Sequence, residues 1–379
     1  MKQKSFIELH HLDVGYDKKI IVSDINININ RGEIISLIGP NGSGKSTILK
    51  TIIRNIKSLG GEIFVDGKNL KSIPNNVLAK KISILLTSKI KTDLMSCYDV
   101  VATGRYPYTG RLGILSETDK EKINEAMGLV GISELKNFDF LKISDGQRQR
   151  VMLARAICQE TEIIILDEPM SFLDIKYKIE FLSLLNDLAK KKNITIIMSI
   201  HELDLAERIS DKVLSIKDGK VFSFSETKKS FTEKTINELY DLKNGNYNHL
   251  FGSLEIKNQN SDASVFVLAG NGSGCDTFRF LNKYNISFYT GIIFKNDIDF
   301  ILGNMISKKI IYTNEFETIS EEKINEAKNL LNECKTLIIC NNNFNGINSK
   351  NYELINFANK KNIKIVDAQK ILHGKEKIF

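Results

Sequence analysis

The chain predicts an α/β protein in two parts, and three observations carry that expectation. The apolar run Ile34-Ile35-Ser36-Leu37-Ile38 leads through Gly39-Pro40-Asn41-Gly42-Ser43-Gly44-Lys45-Ser46-Thr47 into the helical Ile48-Leu49-Lys50. A second apolar run, Ile163-Ile164-Ile165-Leu166, ends in two acids, Asp167 and Glu168. Beyond residue 262, short β-rich runs alternate with helical segments, the pattern of a small parallel sheet.

The first stretch has the form G-x-x-x-x-G-K-S/T between a strand and a helix, the setting a phosphate-binding loop requires. Glycines let the backbone curl so that successive N–H groups point inward, and the helix start adds its positive dipole end. Lys45 then reaches the β- and γ-phosphates and the Ser46 hydroxyl can ligate Mg²⁺. A plain glycine turn leaves the Lys-Ser pair after the last glycine unexplained. The acidic strand end supplies what such a loop lacks: Asp167 for the metal and Glu168 to polarise an attacking water.

Composition bounds the rest. With 379 residues the chain has room for about two to three domains. Hydrophobic content of 42% and charged content of 26% are those of an ordinary globular protein. The net charge of +7 is spread over interleaved acids and bases, which reads as solvated faces and not a nucleic-acid patch. Five cysteines without a C-x-x-C pair read as reduced cytosolic thiols. The start, Met1-Lys2-Gln3-Lys4-Ser5, lacks a signal-peptide core. No run reaches the about 18 to 20 apolar residues of a membrane helix, so if the protein works at a membrane, another chain supplies the spanning part.

In order along the chain, residues 6–30 alternate as strands, with Ile25, Ile27 and Ile29 inward and Asn26, Asn28 and Asn30 outward. Tyr16 lies between the first two strands, where it can stack on an adenine ring or simply face solvent. Gly60 to Gly67 reads as a hairpin, Lys81 to Leu86 as a buried strand and residues 117–130 as a helix. Ser144-Asp145-Gly146-Gln147 opens a capped helix that is either an anion site or no more than a cap. The strand Ile194 to Ser199 ends in Ile200-His201-Glu202, and Lys228 to Tyr240 reads as one helix.

Together these stretches resemble the nucleotide-binding subunit of an ABC transporter over about residues 5–223. The resemblance implies a P-loop NTPase cassette: a RecA-like α/β core with an antiparallel β subdomain and a helical subdomain. It implies that residues 39–47 are the Walker A loop, Ile163 to Glu168 the Walker B strand and residues 143–147 the signature. Asp174 is then the D-loop acid, His201 the switch histidine and Tyr16 the adenine-stacking residue. ATP and Mg²⁺ are the implied cofactors. Two chains close face to face, each ATP lying between Walker A of one and Ser144, Gly146 and Gln147 of the other.

Two positions depart from the family pattern. Asp145 stands where the signature's first glycine belongs, where a carboxylate repels phosphate unless it turns outward. Thr87 stands at the Q-loop position in place of glutamine. The finer resemblance, carried by Gly104-Arg105-Tyr106-Pro107-Tyr108 with Gly113, Leu115-Ser116 and Asp119, is to uptake subunits for iron-siderophore, haem and cobalamin. It implies a peripheral place on the cytoplasmic face of the cell membrane, integral membrane permease subunits as partners and, indirectly, an extracytoplasmic substrate-binding protein. The alternative is a soluble ABC ATPase acting on DNA, ribosomes or cofactor assembly.

The expected organisation is a cassette with its C-terminal extension over 1–256, a polar link over 257–262 and a small α/β domain over 263–379. In the last, Gly270-Asn271-Gly272-Ser273-Gly274-Cys275 imitates a phosphate loop but carries cysteine where the lysine belongs. It is a small-ligand or regulatory site, a tight turn or, least of all, an enzyme centre. As a site it would include Asn341 to Asn345, since open parallel sheets bind ligands beyond their strands' carboxyl ends.

Overall fold

The computed structural model describes residues 5–86, 94–110, 112–256, 262–341 and 343–379. Thr87 and residues 257–261 of the polar link lie outside these. The chain divides into two compact units, Met1–Asp241 and Leu242–Phe379.

The first unit is built on ten strands: β1 (Ile7–Tyr16), β2 (Lys19–Ile29), β3 (Ile34–Ile38), β4 (Gly60–Val65), β5 (Lys68–Asn69), β6 (Ile82–Leu85), β7 (Ile163–Asp167), β8 (Thr195–Ser199), β9 (Lys212–Lys217) and β10 (Lys220–Glu226). Their order is β5-β4-β1-β2-β10-β9-β3-β8-β7-β6. From β9 to β6 the neighbours are parallel, whereas β5, β4, β1 and β2 form an antiparallel arm. Sequence pattern explains the split. β3, β7 and β8 are buried at all five positions and read as near-continuous aliphatic runs, as strands covered on both faces must. β2 alternates, burying Ile25, Ile27 and Ile29 and exposing Asp24, Asn26 and Asn28.

Helices Cys97–Ala102, Glu117–Leu129 and Asp145–Cys158 pack on one another as a helical subdomain. Each opens with a serine capping box, at Ser96, Ser116 and Ser144. The expected single helix from Lys228 to Tyr240 is two, Thr227–Ser230 and Glu233–Tyr240. The break comes where Thr232 turns extended and its hydroxyl accepts the Thr235 N–H as a new cap.

The second unit begins at Leu242, not after residue 256. The reason is packing: the hairpin β11 (Gly245–Asn248) and β12 (Ser253–Ile256) is held by an ion pair between Glu255 and Arg279 and by Asn282, whose amide donates to the Ile256 carbonyl at 2.7 Å. Phe251, at its turn, packs on the core beneath. Behind it lie β13 (Val265–Leu268), β14 (Phe288–Phe294), β15 (Lys309–Thr313), β16 (Thr336–Ile339) and β17 (Lys364–Asp367), all parallel in the order β15-β14-β13-β16-β17. Separate hydrophobic clusters cover its two faces, one around Phe266 and Leu337 and one around Phe278 and Phe288. The parallel α/β expectation for this part holds.

Candidate active site

Three adjacent parallel strands deliver the site. Because β8 lies between β3 and β7, the ends of all three converge: Gly39 after β3, Asp167 and Glu168 at the end of β7, Ser199 and His201 at the end of β8. In register, Ser199 pairs with Asp167 on one side and Leu37 on the other. Ser199 donates to Asp167 Oδ1 at 2.7 Å, and Ser46 donates to the same oxygen at 2.9 Å. The Glu168 N–H donates back to Ser199 Oγ at 2.9 Å, holding Glu168 at φ 47°, in the left-handed region.

The glycine loop curls as its sequence requires. Gly39, Gly42 and Gly44 have φ of 143°, 78° and 103°, and a Cβ at Gly39 would meet the Ile216 carbonyl oxygen at 2.2 Å. Lys45, only 5% exposed, donates to the carbonyls of Gly39 (2.8 Å) and Pro40 (3.0 Å). Burial pushes its ammonium below the ordinary lysine range, and the carboxylates of Glu168 and Asp167 oppose that. Ser43 Oγ is buried without a hydrogen-bond partner among the described residues, an unused hydroxyl inside the loop. His201 Nε2 meets Glu168 Oε1 at 2.7 Å. A cleft of about 660 Å³ opens between these groups, lined by Asn41, Gly42, Gly44, Lys45, Ser46, Thr47, Glu168 and His201 together with Ile21. A buried cation, a curled backbone and an orphan hydroxyl fit a polyphosphate. Ser46 and Asp167, side by side, fit a hard divalent cation.

A family model described as ABC transporter matches residues 22–171. The ABC transporter ATP-binding protein MJ0873 of Methanocaldococcus jannaschii is 42% identical over 283 residues, 74% of this chain and 98% of the relative. The chain belongs to the ABC transporter ATP-binding family. The iron(3+)-hydroxamate import ATP-binding protein FhuC of Bacillus subtilis is 35% identical, over 62% of this chain and 88% of its own length. Among solved structures, the dimeric post-hydrolysis state of the ATP-binding cassette MJ0796 bound to ADP and Pi superposes with a TM-score of 0.53. It is 26% identical and covers 58% of this chain and 98% of that one. A second model, described as MJ0874 family, matches residues 288–377, within the second unit. The first unit is therefore an ABC cassette of the expected core, antiparallel and helical layout, and it is an ATPase that binds ATP.

The cassette's remaining expected residues sit apart from the cleft. Tyr16 is at the hairpin end of β1, 42% exposed and outside the cleft lining. Ser144 caps the helix Asp145–Cys158, and Gln147 closes its capping box at 2.9 Å. Gly146 faces the loop after β7, where a Cβ would come within 3.1 Å of the Phe172 carbonyl oxygen. Gln149 donates to the Pro169 carbonyl at 2.9 Å, tying this helix to the strand end that carries Glu168. Asp174 caps the helix Ile175–Lys192 by accepting the Tyr177 N–H at 3.0 Å. Asp145 pairs with Arg148 at 2.7 Å, and Arg148 also holds the Leu141 carbonyl, so the out-of-pattern carboxylate is balanced within its own helix.

Sequence reasoning missed two residues. Ser199 ends a strand as many serines do, and only the pairing of β7 with β8 shows that it braces Asp167 and Glu168. Tyr240 accepts the Gly39 N–H at 3.1 Å across 201 residues of sequence, with no local signal.

The Gly104 to Asp119 stretch has a structural account. Arg105, 4% exposed, donates to Asp119 at 2.8 Å, to the Cys158 carbonyl at 2.7 Å and to Glu160 at 2.9 Å, and its guanidinium lies 4.1 Å from the Tyr108 ring centroid. Gly104 is required because a Cβ would meet the Arg155 carbonyl oxygen at 2.4 Å. The Ser116 hydroxyl and N–H, with Arg105, hold the Asp119 carboxyl below the ordinary carboxylate range.

Proposed function

We propose that the cassette is the ATP-hydrolysing subunit of an importer for a metal chelate, working through a separate membrane permease. The observation that carries the chemistry is Glu168 held by Ser199 and His201 at the mouth of a cleft whose floor is Lys45 and the glycine loop. Lys45 leaves its carbonyl partners for the β- and γ-phosphates, while the N–H groups of residues 39–47 and the Ser43 hydroxyl complete the cradle. Ser46 and Asp167 would hold Mg²⁺, which supplies charge neutralisation on the phosphates when bound. Glu168 accepts the proton of the attacking water. His201, hydrogen-bonded to Glu168, orients that carboxylate and reaches the γ-phosphate. Tyr16 stacks on adenine from the β1 hairpin.

Ser144, Gly146 and Gln147 serve the nucleotide of a second copy, and Asp174 lies at the seam between copies. The dimeric MJ0796 cassette supports this pairing. The Gln149–Pro169 bond gives it a route inside one chain, from the helix that would meet the partner's nucleotide to the strand end bearing Glu168. Import is supported by FhuC, whose name places it in iron(3+)-hydroxamate uptake. No helix among the described residues is long and apolar enough to cross a membrane. The subunit then sits peripherally on the cytoplasmic face, bound to permease subunits and served indirectly by an extracytoplasmic substrate-binding protein.

Fractionation with and without the cognate permease tests this reading. Co-sedimentation with membranes only when the permease is present, with ATPase stimulated in the complex by an iron-hydroxamate chelate, is the expected result. A protein that stays soluble beside its permease, or that is stimulated by DNA or ribosomes instead, overturns it.

A further inference from the structure

The second glycine loop is not the phosphate cradle it imitates, because the chain fills it with its own carboxylates. Asp299, fully buried, accepts the N–H groups of Gly270 (2.9 Å) and Gly274 (2.9 Å) and the Cys275 thiol (3.2 Å). Asp297 accepts those of Asn271 and Gly272 (3.1 Å). The donors that a phosphate would need are thus already taken, by groups of the same charge sign. Cys275 cannot stand in as a nucleophile: burial, reinforced by Asp299, pushes its thiol up to about 12.

The space beside this loop is nevertheless shaped for a ligand. In the order β15-β14-β13-β16-β17, consecutive connections lead away on opposite sides of β13, so the crevice lies between the loops after β13 and β16. A cleft of about 670 Å³ opens there, within the ordinary range for small-molecule sites. Among the described residues its polar lining is six asparagines, at 271, 296, 341, 343, 345 and 348, with Asp297 the one ionisable group. An asparagine amide offers donor and acceptor together, the complement of a heterocycle edge that carries both; Asn341, Asn343 and Asn348 already accept from the chain through Oδ1, so they present chiefly their amide N–H groups to a ligand. Phe294 and Phe316 supply apolar faces for a flat ring. Phe316 is 84% exposed and sits at φ 61° in the turn after β15, a conformation costly for an aromatic residue.

We propose that this cleft binds an uncharged heterocycle of nucleoside size, stacked on Phe316 and read by the asparagine amides, and that it rejects the corresponding phosphate. The test is hydrogen exchange on the full chain with adenosine, guanosine, cytidine and uridine, each beside its 5′-monophosphate. Peptides covering 270–274, 294–298 and 343–348 report this cleft, and a peptide covering 39–47 reports the cassette in the same run. At least one nucleoside should slow exchange in the first set threefold or more, with its monophosphate binding at least tenfold more weakly. Protection by none of the four overturns the proposal, as does a monophosphate that binds as well as its nucleoside. Phe316→Gly relieves the backbone strain and removes only the ring. It should leave thermal stability equal or higher while weakening the nucleoside at least tenfold, and unchanged affinity in that variant also overturns the assignment.

Discussion

Replacing Ser199 by alanine removes one buried oxygen that serves two acids at once. In the native site Ser199 Oγ donates to Asp167 and accepts the Glu168 N–H, at 2.7 and 2.9 Å, and the residue is fully buried. A hydrogen bond to a carboxylate is worth roughly 1.5–3 kcal/mol, and an orphaned buried N–H costs roughly 1–3 kcal/mol. One atom serves both contacts and Ser46 still holds Asp167, so the expected loss of stability is roughly 2–4 kcal/mol, not the full sum. Freed from its anchor, Glu168 has less reason to stay in the left-handed region, and each ~1.4 kcal/mol lost in the transition state is a tenfold fall in rate. Urea unfolding of Ser199→Ala should show a lower midpoint at unchanged slope, with kcat for ATP down about 10- to 100-fold. Ser199→Thr, which keeps the hydroxyl, should recover most of the rate. A stability change below ~0.5 kcal/mol together with normal kcat would refute the bracing role.

Arg105→Ala leaves the nearly buried Asp119 without its guanidinium and should cost roughly 3–5 kcal/mol by chemical denaturation; a loss under ~1 kcal/mol contradicts the buried-pair account. Asp119 is held below the ordinary carboxylate range in the folded protein. Its contribution is therefore present above the unfolded value of about 3.9 and is lost as pH falls through the lower folded value. Acid titration of stability should be shallower in Asp119→Asn, and an identical acid limb argues against it. Tyr240→Phe strips the acceptor from the Gly39 N–H and should weaken ATP binding severalfold, at a stability cost of about 1 kcal/mol; unchanged affinity in isothermal titration removes Tyr240 from the loop's support.

What was legible before the structure is what chemistry demands locally. Glycines at 39, 42 and 44 are tied to positive φ, Lys45 and Ser46 stand in the glycine-loop motif, and Asp167 and Glu168 end an unbroken aliphatic run. The parallel sheet of the second unit was legible for the same reason, since its strands are short aliphatic runs. Ser199 and Tyr240 were not, because their roles come from strand order and from a contact 201 residues apart. Nor was the filling of the second glycine loop: Asp297 and Asp299 follow it by more than twenty residues, on a helix whose placement only tertiary packing decides. The hairpin of residues 245–256 looked like a cassette extension because neither of its strands names a partner. Arg279 and Asn282 assign it to the second unit.

In the proposed hydrolysis, Glu168 is the group that takes the proton from water. Its carboxylate meets His201 at 2.7 Å beside the loop that holds Lys45, and glutamine keeps its shape while removing its basicity. Single-turnover hydrolysis by Glu168→Gln, measured beside equilibrium binding of ATP, separates the two properties. ATP affinity should stay within about threefold of wild type while the hydrolysis rate falls by roughly 10² or more. Near-normal turnover in that variant would contradict that role for Glu168.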